Sequence, residues 1–165
     1  MDYLAVIRSQ YLASLAMLQQ AIEKCPEPLW DNPTDKTRFW HIAYHVLFYT
    51  HLYLQPARQD FKAWSKHRPD YESLRLHTRP KITAPYSRED VLEYLAFCQQ
   101  QVEELVPCLN LEARSGFDWL PFSKLELQIY NIRHIQQHAG ELMERLGSRA
   151  GVDVDWVGSK PAEAK

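Results

Sequence analysis

Glycine and long apolar runs are both scarce in this sequence. The 165 residues include five glycines, few for a β-rich fold that needs glycine at many turns, so long helices are favoured. The most apolar stretch, 39–54, contains three histidines and is too short and too polar to span a bilayer. The N-terminus begins directly with an amphipathic pattern, and we expect no signal peptide.

Neither the charge nor the cysteine content indicates binding to nucleic acid or a membrane, or a disulfide framework. A net charge of -2 and a pI near 6.4 provide no basic surface for nucleic acid, and no predicted helix has a basic face for a membrane. The three cysteines, Cys25, Cys98 and Cys108, form no C-x-x-C pair. An odd number at irregular spacing predicts reduced thiols and a cytoplasmic protein.

Amphipathic segments predict an all-α fold. Apolar residues three and four apart form one face of a first helix over about 2–24, which Pro26 ends because proline cannot continue the hydrogen-bond ladder. The capping residues of 31–34 predict the start of a second helix, which runs to about Gln55. This second helix is apolar nearly all round, which is typical of a helix buried on several sides.

Two serines predict the starts of the remaining helices. Ser87 is followed three residues later by a carboxylate, and the third helix then ends at Pro107. Ser123 begins a complete S-x-x-E capping box, and the fourth helix ends just before Gly147, its predicted C-cap. Together these segments predict a four-helix bundle that occupies residues 1–157.

The connection over 56–86 is unusually long and carries four prolines. It is long enough to cross the whole bundle, because a 20-residue helix spans only about 30 Å, so we predict that the third helix runs parallel to the second. A short helix near Phe61 is also expected. After the fourth helix, a period of two over 152–156 indicates an extended tail on the bundle, and we expect residues 158–165 to be disordered.

Four of the seven histidines form two H-x-x-x-H pairs. His41 and His45 lie on the second predicted helix, and His134 and His138 lie on the fourth. Residues four apart on a helix differ by about 40° in direction and about 6 Å in rise, so each pair can face one point. Imidazole suits zinc, nickel, copper and iron, although packed histidines with hydrogen-bond partners are the alternative. The remaining histidines are interpreted as surface or structural residues: His51, His67 and His77.

Two stretches resemble the DinB superfamily, the DinB/YfiT-like metalloenzymes. The sequence FWHIAYHVLFY at 39–49 contains His45 at the place of the family's second-helix histidine. The sequence RHIQQHAGEL at 133–142 is similar to the family pattern H-x-x-x-H-R-G-Q, and His134 and His138 match its histidines. The order of the helices and the long connection after the second helix agree as well.

The rest of that pattern matches only in part. Gly140 matches, whereas Ala139 and Glu141 replace the arginine and the glutamine. Glu141 lies three residues beyond His138, on nearly the same helical face, and is a candidate catalytic proton acceptor. A fourth metal ligand, a partner of an imidazole and a solvated charge are the other roles open to it.

The resemblance implies one divalent metal ion, with zinc or nickel preferred, held by His45, His134 and His138. It implies coordination positions open to water or substrate, as in catalytic sites, and a homodimer. Several members of the family transfer low-molecular-weight thiols. His41 and Asn131 are candidates to contact the metal-binding histidines. The alternative for His41 is a packed, hydrogen-bonded position in the core, and the alternative for Asn131 is a local hydrogen bond.

The function expected from these features is a metal-dependent transferase or hydrolase that acts on a small electrophile. A low-molecular-weight thiol is its expected second substrate, and we expect it to bind neither nucleic acid nor a membrane. No serine or cysteine lies near the histidines on either helix, so water or an incoming thiol is the expected nucleophile. A non-enzymatic metal-binding or stress-response protein and a structural dimerisation module are the alternatives. Four tyrosines are expected to pack in the bundle or line its pocket: Tyr44, Tyr49, Tyr53 and Tyr130.

Overall fold

Secondary structure is helical in residues 1–74 and 84–160, which the computed structural model describes. That part of the chain contains no strand, and an isolated β-bridge joins Arg114 to Ser123. Single 3-10 turns lie at Arg58–Asp60 and Val106–Cys108. The all-α prediction is confirmed. The α-helices are α1 (Tyr3–Lys24), α2 (Glu27–Trp30), α3 (Phe39–Leu54), α4 (Arg88–Leu105) and α5 (Lys124–Ala150).

The apolar core lies between the four long helices. α1 and α3 each pack against both α4 and α5. Residues near the start of α3 contact residues near the start of α4, and residues near their ends contact each other. Tyr44 packs against Tyr94, and Gln55 donates a hydrogen bond to Gln101. α3 and α4 therefore run parallel, as the long connection between them predicts.

Side-chain caps begin three of the long helices. The Asp2 carboxylate accepts a hydrogen bond from the Ala5 amide at 3.0 Å. The hydroxyls of Ser87 and Ser123 each accept one, at 3.1 Å, from the amide three residues further on. Each cap satisfies an amide that has no partner inside the helix, and the predictions made from the two serines are confirmed.

The predicted start of the second long helix at 31–34 is wrong. α3 begins at Phe39, and the short α2 precedes it. The Asn32 side chain accepts hydrogen bonds from the Thr34 amide at 3.0 Å and from its hydroxyl at 2.7 Å. Asparagine bonds in this way to the backbone two residues on in tight turns as well as at helix starts. The capping residues here close a turn between α2 and α3.

The predicted end of the last helix before Gly147 is also wrong. α5 continues one turn further to Ala150, and Gly151 has the left-handed φ of 63° that ends a helix. The Gly151 amide donates to the Gly147 carbonyl at 3.1 Å. Glycine inside a helix lowers its stability but does not stop it, and only the second glycine adopts the terminating conformation.

The connection between α3 and α4 packs down on the bundle, as predicted. Trp64, Tyr71 and Tyr86 are buried, and Trp64 stacks on Tyr94 of α4 with ring centroids 4.5 Å apart. The helix expected near Phe61 is the 3-10 turn that immediately precedes it. Leu76, His77 and Pro80, which belong to the same connection, lie outside the described residues.

After α5 the chain follows α1 without regular secondary structure. The Asp155 amide donates to the Gln20 side chain at 3.0 Å, and the Lys160 amide donates to the Ser9 hydroxyl at 3.0 Å. An extended tail on the bundle is confirmed over this stretch. The domain boundary at 157 stays a prediction, since residues 161–165 lie outside the described ranges.

Each helix in the described part of the chain is too short or too polar to cross a bilayer. The three cysteines are free thiols, with Cys25 and Cys98 buried and Cys108 exposed. Burial raises the pKa of the Cys98 thiol well above its ordinary value, so this thiol is inert in the core.

Candidate metal centre

Three histidines from two helices converge at one place. α3 and α5 pack side by side, which brings His45 of α3 against His134 and His138 on successive turns of α5. Each residue offers one ligand atom, and the three atoms lie within 4.8 Å of one another. The Nε2 atoms of His45 and His134 are 3.1 Å apart. Two nitrogens bound to one tetrahedral zinc ion lie about 3.3 Å apart, so this spacing suits a common ion.

Hydrogen bonds on the outer side fix two of the rings. Nδ1 of His45 lies 2.6 Å from the Glu72 carbonyl, which can only accept, so Nδ1 carries the proton and Nε2 keeps its lone pair. Nδ1 of His138 lies 3.1 Å from the Glu141 carboxylate, which leaves Nε2 of His138 available to an ion. Metal-binding histidines commonly donate their second ring nitrogen to a carbonyl or a carboxylate in this way.

His134 supplies an independent sign that the donor set fits a metal ion. Its Nδ1 atom is buried and has no hydrogen-bond partner among the described residues, while its Nε2 atom faces the lone pair of His45. If His134 carries its proton on Nε2, the proton is donated to His45 and the buried Nδ1 is left without a donor; if the proton is on Nδ1, two nitrogen lone pairs face each other, an arrangement that a cation stabilises. The chemistry of these residues therefore fits a divalent ion that prefers nitrogen.

Burial keeps two of the imidazoles neutral. Loss of hydration, with a smaller contribution from the neighbouring histidines, lowers the pKa of His45 to about 3. Burial, followed by the charge of His138, lowers the pKa of His134 to about 4. Both side chains are thus uncharged at neutral pH, and the uncharged imidazole is the form that binds a metal ion.

Glu141 lies between His138 and Arg145. One carboxylate oxygen accepts from His138, and the other accepts from Arg145 at 2.8 Å. These contacts lower the pKa of the carboxyl group, the bond to His138 most of all. Arg145 is itself held by the Thr37 carbonyl at 2.8 Å. Of the roles open from the sequence, these contacts favour a partner that orients an imidazole, and the catalytic role stays a prediction.

His41 and Asn131 lie outside the converging group. Nε2 of His41 donates to the Tyr71 carbonyl at 2.8 Å, and the His41 ring is buried. Asn131 is buried between α5 and α3, where its amide donates to the Thr50 carbonyl at 3.3 Å. His41 makes the hydrogen bond given as its alternative from the sequence, whereas the bond of Asn131 goes to another helix and not to a local partner. A direct role of either residue in the site stays a prediction.

The other histidines in the described ranges have structural contacts. His51 is buried with Nδ1 3.2 Å from the Tyr94 hydroxyl, and burial lowers its pKa to about 4. Nδ1 of His67 lies 2.6 Å from the Tyr44 hydroxyl. These contacts agree with the structural interpretation, whereas His77 lies outside the described residues.

A cavity of about 780 Å³ adjoins the converging histidines. Three of the four tyrosines singled out in the sequence line it, whereas Tyr44 packs on Tyr86. The wall is largely aromatic, with one arginine and one glutamate. The lining residues beside His45 and His134 are Phe48, Tyr49, Leu52, Tyr53, Arg58, Phe61, Glu72, Trp119, Leu120 and Tyr130.

Sequence reasoning missed the charged residues of this wall. Arg58 and Glu72 belong to the connection after α3, where no periodic pattern assigns a side chain to a face. Trp119 belongs to the loop before α5. A tryptophan in a loop is the one signal the sequence offers, because a large aromatic side chain outside a helix needs a surface to contact.

Comparison with known protein families agrees with this geometry. A sequence profile of the DinB superfamily matches residues 10–142, a span that contains all three converging histidines. Neither the curated proteins nor the solved structures gave a match. Since the matched span covers well over half of the chain, the protein belongs to the DinB superfamily.

Proposed function

We propose that this protein is a divalent-metal-dependent enzyme that transfers a thiol to a small electrophile or hydrolyses it. The observation that carries the proposal is the convergence of three imidazole ligand atoms within 4.8 Å, beside a cavity large enough for a small molecule. His45, His134 and His138 would hold the ion. Three protein ligands leave coordination positions open, as catalytic sites require.

The chain itself would orient the reactants and exclude water. The Glu72 carbonyl keeps the proton of His45 on Nδ1, so that Nε2 faces inward. Aromatic side chains such as Phe48 and Tyr53 provide an apolar surface for the substrate body. When bound, a divalent ion supplies the charge that lowers the pKa of a water or thiol in contact with it.

Glu141 acts in this proposal as a positioning residue. Its carboxylate bonds both to Nδ1 of His138 and to Arg145, which fixes the direction of the His138 ring. The bonds to His138 and Arg145 lower the pKa of the carboxyl group, which makes it a weaker acceptor of a proton from a reacting thiol or water. The glutamine of the family pattern also offers an oxygen to Nδ1, so positioning is the role that both residue types can perform.

Metal analysis of untagged protein tests the site. We expect about one zinc or nickel ion per chain in the wild type and none in His138→Ala, with helix content by circular dichroism unchanged in both. His67→Ala is the matched control, because His67 lies outside the converging group and should leave the metal content intact. A His45→Ala/His134→Ala/His138→Ala variant that binds metal as tightly as the wild type would refute the assignment.

A turnover assay separates the enzyme from its alternative. Glutathione, bacillithiol, mycothiol and coenzyme A are each offered with a panel of electrophiles to metal-loaded wild type and to His134→Ala. Turnover by the wild type alone supports the proposal. Equal rates in both proteins, or no rate with any thiol or ester, would favour a non-enzymatic metal-binding or stress-response protein. The choice between zinc and nickel, the homodimer and the cytoplasmic location stay predictions.

A further inference from the structure

An arginine without a charged partner lies at the mouth of the cavity. The guanidinium carbon of Arg58 is 5.3 Å from the centre of the Trp119 ring, and both residues are exposed to solvent. No carboxylate or carbonyl among the described residues accepts a hydrogen bond from this guanidinium. Its five N–H donors are therefore available to a molecule that enters the cavity.

Two chain segments hold this arginine in place. The Arg58 amide donates to the Gly116 carbonyl at 3.2 Å. A Cβ atom on Gly116 would lie 2.2 Å from the Pro56 carbonyl oxygen, so the segments around 56 and 116 touch through their backbones. The buried ammonium of Lys124 donates to the carbonyls of Pro56, at 2.8 Å, and of Ser115. The rim that carries Arg58 is thus held firmly by its backbone.

The charges of the wall are separated along the cavity. Glu72 lies beside the histidines, where its carbonyl accepts from His45, and one of its carboxylate oxygens is buried. Arg58 is at the mouth, where its charge is exposed. In the metal-free protein an anionic group is therefore attracted at the mouth and repelled by Glu72, which gives a charged ligand one preferred orientation.

We infer that the cavity recognises a small anionic molecule with an apolar body, whose carboxylate, sulfonate or phosphate binds Arg58. The planar guanidinium offers two parallel N–H bonds to such a group, and its contact with Trp119 orients it in advance. The apolar body lies along the aromatic wall, with its far end toward the histidines. Only the statement that this far end reacts rests on the proposed function; recognition of the anion does not.

Binding of two probe molecules tests this inference. Benzenesulfonate carries the anionic group, and methyl phenyl sulfone is its uncharged analogue of similar shape. By isothermal titration calorimetry at low salt, we expect wild type to bind benzenesulfonate about tenfold more tightly than the sulfone, since a hydrogen bond to a charged group contributes roughly that factor. Arg58→Gln should abolish this preference, and Arg58→Lys should restore part of it.

Arg114→Gln is the matched control, because it removes the same charge from an exposed arginine that does not line the cavity. An equal loss in Arg114→Gln and Arg58→Gln, an unchanged preference in Arg58→Gln, or no benzenesulfonate binding at millimolar concentration would overturn the inference. The titrations are repeated on metal-free and zinc-loaded protein. Failure of the histidines to bind zinc refutes the proposed function, while loss of the sulfonate preference in both forms refutes the role of Arg58.

Discussion

A single methyl group added at Gly116 should displace the backbone at the cavity mouth and lower the stability of the fold. Gly116 has a φ of 86°, in the left-handed region, which costs a residue other than glycine about 1–2 kcal/mol. The added Cβ would also lie 2.2 Å from the Pro56 oxygen and 2.8 Å from Cα of Ala57. These neighbours are backbone atoms, so the rim itself must shift, and such overpacking costs about 1–3 kcal/mol.

The two effects add to a loss of about 2–5 kcal/mol in the free energy of unfolding for Gly116→Ala. Urea denaturation followed by circular dichroism measures it. Gly147→Ala is the control, because Gly147 lies inside α5 and a Cβ there would meet nothing within 4 Å. The free energy of unfolding of Gly147→Ala should be about 0.5–1 kcal/mol higher than that of the wild type. A Gly116→Ala protein as stable as wild type would contradict the close contact at Gly116, and a less stable Gly147→Ala would contradict the open space at Gly147.

Two further predictions concern Glu141 and His51. Glu141→Ala should weaken zinc binding about 10- to 100-fold. Glu141→Gln should recover most of the zinc affinity, because glutamine keeps an oxygen for Nδ1 of His138. If Glu141→Gln binds zinc normally but has lost turnover, Glu141 is a proton acceptor instead. Because burial lowers the pKa of His51 from 6.5 to about 4, the unfolded chain binds more protons between these pH values. Stability of metal-free protein should therefore fall as the pH falls through this range, by up to about 1.4 kcal/mol per pH unit from this group, and a slope unchanged in His51→Phe would refute the assignment.

The parts of the fold that follow from local pattern were predictable. Ser87 and Ser123 begin their helices because a serine before an amphipathic run has free amides to accept from. Two predicted helix boundaries were wrong, the start at 31–34 and the end at Gly147. Capping residues also occur in turns, as here, and glycine also occurs inside helices, as Gly147 does. Such signals need tertiary contacts to decide between their uses.

The candidate site divides in the same way. The spacing of His134 and His138 on a helix puts both on one face, and the family pattern pairs them with His45. Arg58 and Glu72 had no such basis, because their positions depend on how the connection after α3 meets the loop before α5. Backbone contacts between segments distant in the sequence leave no periodic trace.

The three histidines differ in how far apart they are along the chain. His134 and His138 lie four residues apart on α5, so an isolated α5 helix already presents two ligands. His45 is 89 residues from His134 and joins them only when α3 packs against α5. A bound ion would therefore bind the native chain more tightly than the denatured chain by the contribution of the third ligand. Ion binding at this place would act as a crosslink between two helices, and it would stabilise their packing rather than the helices themselves.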